Sequence, residues 1–266
     1  MLTSLPVLLA LSLIPGQTDQ LNLTNVRPTY GILGATRSDT KFLPGDSFVL
    51  CFDVEGVKAD DAGKVLYSIG MDVTDAAGKV YLKQEPRELE ANNSLGGTSL
   101  QAFALIQVGL DQPPGKYTAK VTVTDRATRA KGTLTRAYEV LPKGFGLVRL
   151  NTTYDADGRI AAPYVGEGQI LFVNFLAVGF GRDSAQAQPN LSVVMRILDQ
   201  AGRPTLATPY TGVVNKDIPA KVLSVPMQFI VELNRPGQFT LELKATDKVT
   251  GRSATLSYPL KVRELK

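Results

Sequence analysis

The 266-residue chain has no His and a single Cys, Cys51, and these two facts remove most site chemistry. Ser-His-Asp and Cys-His nucleophile pairs need an imidazole to take the proton, and most zinc, copper and non-haem iron sites use the same ring as ligand. One thiol builds neither a structural zinc site nor an iron–sulfur cluster. Cys51 lies between Leu50 and Phe52 in an apolar run, which predicts a semi-buried structural thiol, not a nucleophile. Paired carboxylates could still hydrolyse a glycosidic bond. The adjacent acids Asp60 and Asp61 fall in "KADDAGK", a polar stretch that predicts a solvated loop. "DADG", from Asp155 to Gly158, has the start of a calcium loop, but a third acid is missing and the twelfth position is Gly166. Met71 and Met195 are too few and too far apart to suggest a copper site, and there is no Gly-rich phosphate loop. No residue is assigned a catalytic, cofactor-binding or metal-binding role.

The elements that would hold any site repeat. "PPGKYTAKVTVTDRATRAKGTLTRAYEV" (Pro113 to Val140) and "RPGQFTLELKATDKVTGRSATLSYPLKV" (Arg235 to Val262) align without a gap from Gly115 and Gly237 onward. Thr118, Thr124, Asp125, Thr128, Thr133, Leu134 and Val140 meet identical residues 122 positions later. Upstream, "SIGMDVTDAAGKVYL" (Ser68 to Leu82) matches "SVVMRILDQAGRPTL" (Ser192 to Leu206), and "FVLCFDVEGV" (Phe48 to Val57) matches "LFVNFLAVGF" (Leu171 to Phe180). Blocks in one order at a near-constant offset predict a duplicated domain; the period is too long for a solenoid.

Within each copy apolar residues alternate with polar ones. Tyr117, Ala119, Val121 and Val123 do so, as do Phe239, Leu241, Leu243 and Ala245. Period-2 alternation marks strands with one buried face. Asp125 and Asp247 then open tight turns, since an Asp carboxylate accepts from amides just ahead of it, and each copy is expected to end in a hairpin; the Asp-x-x-Gly pattern of "DAAGK" from Asp75 and "DQAGR" from Asp199 marks a further hairpin turn in each. Arg136 falls on the apolar parity and is expected near a sheet rim. No segment sustains a helical period; "EPRELEA" (Glu85 to Ala91) is the best helix candidate, at two turns or fewer. The expectation is an all-β protein of two tandem β-sandwich domains related by internal duplication, residues 19–142 and 143–266.

The Pro-Gly-x-Tyr/Phe start of the penultimate strand resembles immunoglobulin-like and fibronectin-like domains, which implies an immunoglobulin-like architecture. A core Trp and an intersheet disulfide are missing. Nearly the whole chain resembles uncharacterised secreted proteins of planctomycete bacteria, through "PGKYTAKVTVTDRAT", "NSLGG", "FGLVR" and "ATDKVTGRSATL". That resemblance implies a setting outside the cytoplasm and no mechanism.

The first 18 residues agree with that setting. Leu5 to Ile14 is an apolar run without charge, followed by Pro15 and Gly16, which predicts a signal peptide too short to span a bilayer. Residues 19–142 carry 14 Lys and Arg against 15 Asp and Glu; residues 143–266 carry 15 against 10. The basic residues of the second copy are scattered, so a solvated surface is favoured over nucleic-acid binding. Between copies the most divergent segments are Gln84 to Ser99 and Ala207 to Lys221, read as loops. In the first, Asn92, Asn93, Ser94, Gly96 and Gly97 form a speculative binding loop. The expected function is an exported, non-enzymatic spacer or binding scaffold with an unknown protein or polysaccharide partner of the envelope, no nucleic acid, no cofactor and no transmembrane segment. The alternatives are a carbohydrate-recognising module using Tyr81, Tyr154, Tyr164 and Tyr210, and a carboxylate-dependent hydrolase.

Overall fold

In the computed structural model residues 20–264 are described; the expected signal peptide lies outside them. Among the described residues every regular element is a strand. The first half holds β1 (Asn22–Thr29), β2 (Lys41–Phe42), β3 (Ser47–Glu55), β4 (Lys64–Asp75), β5 (Val80–Asn92), β6 (Ser99–Gln107), β7 (Gly115–Asp125) and β8 (Lys131–Val140). The second holds β9 (Gly146–Thr153), β10 (Val165–Gly166), β11 (Ile170–Val178), β12 (Leu191–Leu198), β13 (Tyr210–Val214), β14 (Ser224–Glu232), β15 (Gly237–Asp247) and β16 (Arg252–Arg263).

Sheets β1-β3-β6 and β2-β8-β7-β4-β5 form the first half; β9-β11-β14 and β10-β16-β15-β12-β13 form the second. Adding eight to each strand number converts one set into the other, so the duplication read from the sequence is a duplication of topology. The short strands β2 and β10 pair in parallel with β8 and β16; every other pair is antiparallel. Even the irregularities repeat. β1 and β9 each break register at a bulge where a non-Gly residue takes positive φ, Asn25 (50°) and Arg149 (54°).

Alternation decides which face is buried. In β6, Leu100, Ala102, Ala104 and Ile106 turn inward, against Tyr117, Ala119, Val121 and Val123 of β7. Leu171, Val173, Phe175 and Leu243 play this part in the second half. A buried Val, Leu or Phe contributes about 1.5–3 kcal/mol, so each half has a sufficient core without a disulfide. The Asp turns are as expected. Asp75 Oδ1 accepts from Ala77 N and Lys79 N at 2.9 and 3.0 Å, and Asp199 Oδ1 accepts from Ala201 N and Arg203 N, both at 2.9 Å.

Four readings are corrected. Glu85 to Ala91 is not helical, and Gln84 to Asn92 is not loop: both belong to β5, a 13-residue edge strand. Ala207 to Lys221 likewise contains β13. β5 is exposed over most of its length, with Leu89 and Ala91 alone partly buried against the core, and Lys64–Glu90, Lys83–Glu85 and Arg126–Glu88 ion pairs dress it. Pro86 lies at a register break opposite Gly70, where a missing amide costs no ladder bond. A strand with so few inward apolar residues has almost no apolar period to read. Cys51 is fully buried, not semi-buried, with its sulfur 3.3 Å from Thr29 Oγ1.

Candidate functional site

The proposed loop residues close a turn upon themselves. Asn93 Nδ2 donates to Gly97 O at 2.9 Å and Ser99 O at 3.1 Å, Gly96 N donates to Asn93 O, and Gly96 and Gly97 have φ of 75° and 89°. Asn92 ends β5, and Ser94 is exposed beside it. Three of the candidate acids are also engaged. Asp60 Oδ1 accepts from Ala62 N and Lys64 N. Asp155 accepts from Ile160 N and Arg159 N, which hold its carboxyl below the usual range, and Asp157 faces Arg159 at 3.4 Å. Among the described residues no three of His, Cys, Asp and Glu gather as a metal cage would require.

The four tyrosines do not share a platform. Tyr81 packs edge-on to Tyr117 in the first half, and Tyr210 packs against Phe229 in the second. The Tyr154 hydroxyl donates to the Tyr164 carbonyl. Tyr164 is exposed, with the Arg263 guanidinium 4.3 Å from its ring centre.

The densest polar constellation, which the sequence reading missed, is the junction of the two halves. After β1 the chain forms a hairpin from Thr29 to Arg37, closed by Tyr30 N to Ala35 O and Arg37 N to Pro28 O. The hairpin leaves its own half and lies on the other. Tyr30 joins the second core, its ring 5.5 Å from Tyr258. Ala35 N donates to the Tyr258 hydroxyl at 3.4 Å, and a Cβ on Gly31 would fall 2.6 Å from Asn151 Cβ. Burial raises the Tyr258 pKa, and its Oη is held 2.9 Å from Thr152 Oγ1.

Asp46 is the hub. Its Oδ2 accepts from Arg37 Nη1, while Oδ1 accepts from Ser47 N and from Arg149 N across the junction, all at 2.8 Å. Arg149 returns the contact through Nε to Gly45 O at 2.8 Å. Arg37 is almost fully covered, lies 4.2 Å over the Phe42 ring, and also meets Asp39. Burial alone would lower its pKa; Asp46 and Asp39 outweigh that and raise it. The second copy repeats the hairpin, with Tyr154 N to Ile160 O and Ala162 N to Thr152 O. It carries no counterpart of the acid, because Gln169 aligns with Asp46. A sequence signal existed at the receiving end: Tyr258 aligns with Arg136, so only the second copy offers an aromatic there. Arg136 lies mid-strand, paired with Ala119 of β7 on one side and open on the other edge of β8, since β2 reaches only Glu139 and Val140.

Beside this clasp lies a cleft of about 200 Å³, lined by Gly31, Arg37, Asp46, Arg149 and Asn151 among others. An adjoining groove of about 450 Å³ shares Arg149 and Asn151 and adds Asp157, Asn174 and Gln228. Asn174 Nδ2 donates to Thr153 Oγ1 and its Oδ1 accepts from Gln228 Nε2; Asn151 Oδ1 is buried without a partner among the described residues. Such amides and a guanidinium can hydrogen-bond a polar ligand, whereas the neighbouring carboxylates are paired, Asp46 with Arg37 and Asp157 with Arg159.

No protein-family model and no curated protein matches the chain. Among solved structures it is similar to the C-terminal domain of the Streptococcus pyogenes antigen I/II-family protein AspA: 9% identity, 92% of this chain, 99% of that one, TM-score 0.30. The C-terminal domain of the Streptococcus agalactiae AgI/II polypeptide BspA gives 8% identity over 89% and 99%, TM-score 0.29. Dimeric latent PorU from Porphyromonas gingivalis gives 11% identity over 96% of this chain and 21% of that one, TM-score 0.38.

Proposed function

We propose that the protein is an exported, non-enzymatic scaffold in which two immunoglobulin-like modules are fixed to each other and present surfaces to an envelope partner. The Asp46 clasp carries this reading. A buried carboxylate shared between Arg37, its own strand and the next module fixes one relative orientation, a role that a flexible spacer would not need. Engagement of Asp60, Asp125, Asp155 and Asp247 in turns supports a non-enzymatic role, because acids accepting several amide bonds are not poised for proton transfer. Two measurements test it. Periplasmic fractionation should recover a form shortened by about the first 18 residues. Small-angle scattering should fit a single inter-module orientation that broadens in D46A. Unprocessed cytoplasmic protein, or a wild-type chain that already samples many orientations, overturns the reading.

The groove of amides beside the clasp favours one second reading, recognition of a polysaccharide. Glycan-array binding lost in Q228A and N151A would support it; binding that survives both variants would not.

A further inference from the structure

The two halves close their matching ends differently, the first half's end lying at the junction, where Tyr138 meets Phe42 beneath Arg37. In the first half Tyr117 and Tyr138 stack at 5.5 Å, Tyr81 meets Tyr117 at 5.4 Å, and buried Gln112 covers them from the seven-residue connection Val108 to Pro114. In the second half the aligned residues are Thr205, Phe239 and Leu260, and the connection shrinks to the four residues Leu233 to Pro236. One ring stands where the first half has three. The result is a pocket of about 300 Å³ floored by Tyr210, Phe239 and Leu260. Its rim carries Glu232, Asn234 and Arg235. The Arg235 guanidinium lies 4.8 Å from the Phe239 ring centre, and neither it nor Glu232 makes an ion pair among the described residues.

We propose that this pocket binds an aromatic amino acid. The missing phenol rings define an aryl-sized space, Arg235 supplies a bidentate partner for the carboxylate, and Glu232 supplies one for the ammonium group. The cation over Phe239 is held near the apolar floor, so the ring and the carboxylate are read together. A free amino acid is small, and its dissociation constant should be on the order of 1 mM.

The test is titration of the full chain with L-phenylalanine, followed by calorimetry and by amide shifts. The expected result is saturable binding with shifts around Arg235 and Phe239. R235Q and E232Q should each weaken it about fivefold or more, as expected for loss of a charged hydrogen bond. T205Y places a first-half residue at the exposed rim and should abolish binding while the thermal midpoint is kept; L260Y fills the floor as an independent second variant. No saturation up to the solubility limit overturns the proposal. So does binding that persists in both T205Y and L260Y, or an affinity for the neutral probe benzyl alcohol equal to that for phenylalanine.

Discussion

The first half ends in packed tyrosines and the second in an opening, although both ends are built on the same strands. Tyr138 is buried, and its counterpart Leu260 is buried too, so the register is equal and only the volume differs. The same pair of ends differs in charge: the first half has Asp46, which reaches across the junction to Arg149 N, where the second has the amide of Gln169, bonded only locally to Gly166 N. The duplicated backbone fixes where residues stand. What each copy does with a position depends on whether a neighbour covers it.

Breaking the clasp should separate the halves most sharply. D46A leaves the Arg37 guanidinium buried without its main partner, and about 3–5 kcal/mol of stability should be lost. Q169A should cost about 1 kcal/mol or less, the value of a single hydrogen bond. Denaturant titration of both variants checks this; equal losses would mean the junction charge is idle. Y138L should cost about 2–4 kcal/mol through the cavity it opens, and should give the first half a second, weaker phenylalanine site detectable by calorimetry.

The matched buried acids test sameness. Asp125 accepts from Lys58 N, Ala127 N and Thr128 N, and Asp247 accepts from Gly181 N, Val249 N and Thr250 Oγ1. D125A and D247A should each cost about 1–3 kcal/mol, the penalty for stripping buried amides of their acceptor. For Asp247, burial raises the pKa, but bonds from Thr250, Gly181 and Val249 prevail and lower it. Its stabilisation is therefore complete above the unfolded-state value of about 3.9 and fades as pH falls below it. D247N should flatten that acid limb in pH-dependent melting; an unchanged limb would show that other groups dominate. Gly31 offers a further test, because positive φ and a close approach to Asn151 oppose a side chain. G31A should lose more than about 1 kcal/mol and loosen the junction, visible as faster amide exchange at Ala35.

Much of this was legible. Alternation in Tyr117 to Val123 gave a strand and its buried face, and Asp75, Asp125, Asp199 and Asp247 marked real turns. β5 was hidden because nearly all of its residues meet solvent, so charge and Pro86 masked a strand that its neighbour's backbone imposes. The hairpin after Thr29 was hidden for another reason. "TYGILGATR" reads as a loop, and its packing on Asn151 and Tyr258 is a contact over long chain separation that no local pattern encodes. The pocket lies between these cases. Tyr138 facing Leu260 was visible in the repeat, but the vacancy also depends on the shortened Leu233 to Pro236 connection.

The Thr29 hairpin has a mechanical consequence. Covalently, the halves are joined by the five residues Leu141 to Phe145, which could stretch by about 3.5 Å per residue. The hairpin bridges the same gap alongside that tether. A tensile load along the molecule is therefore shared between two routes, and the tether cannot extend until Tyr30 and Ala35 have peeled from Tyr258.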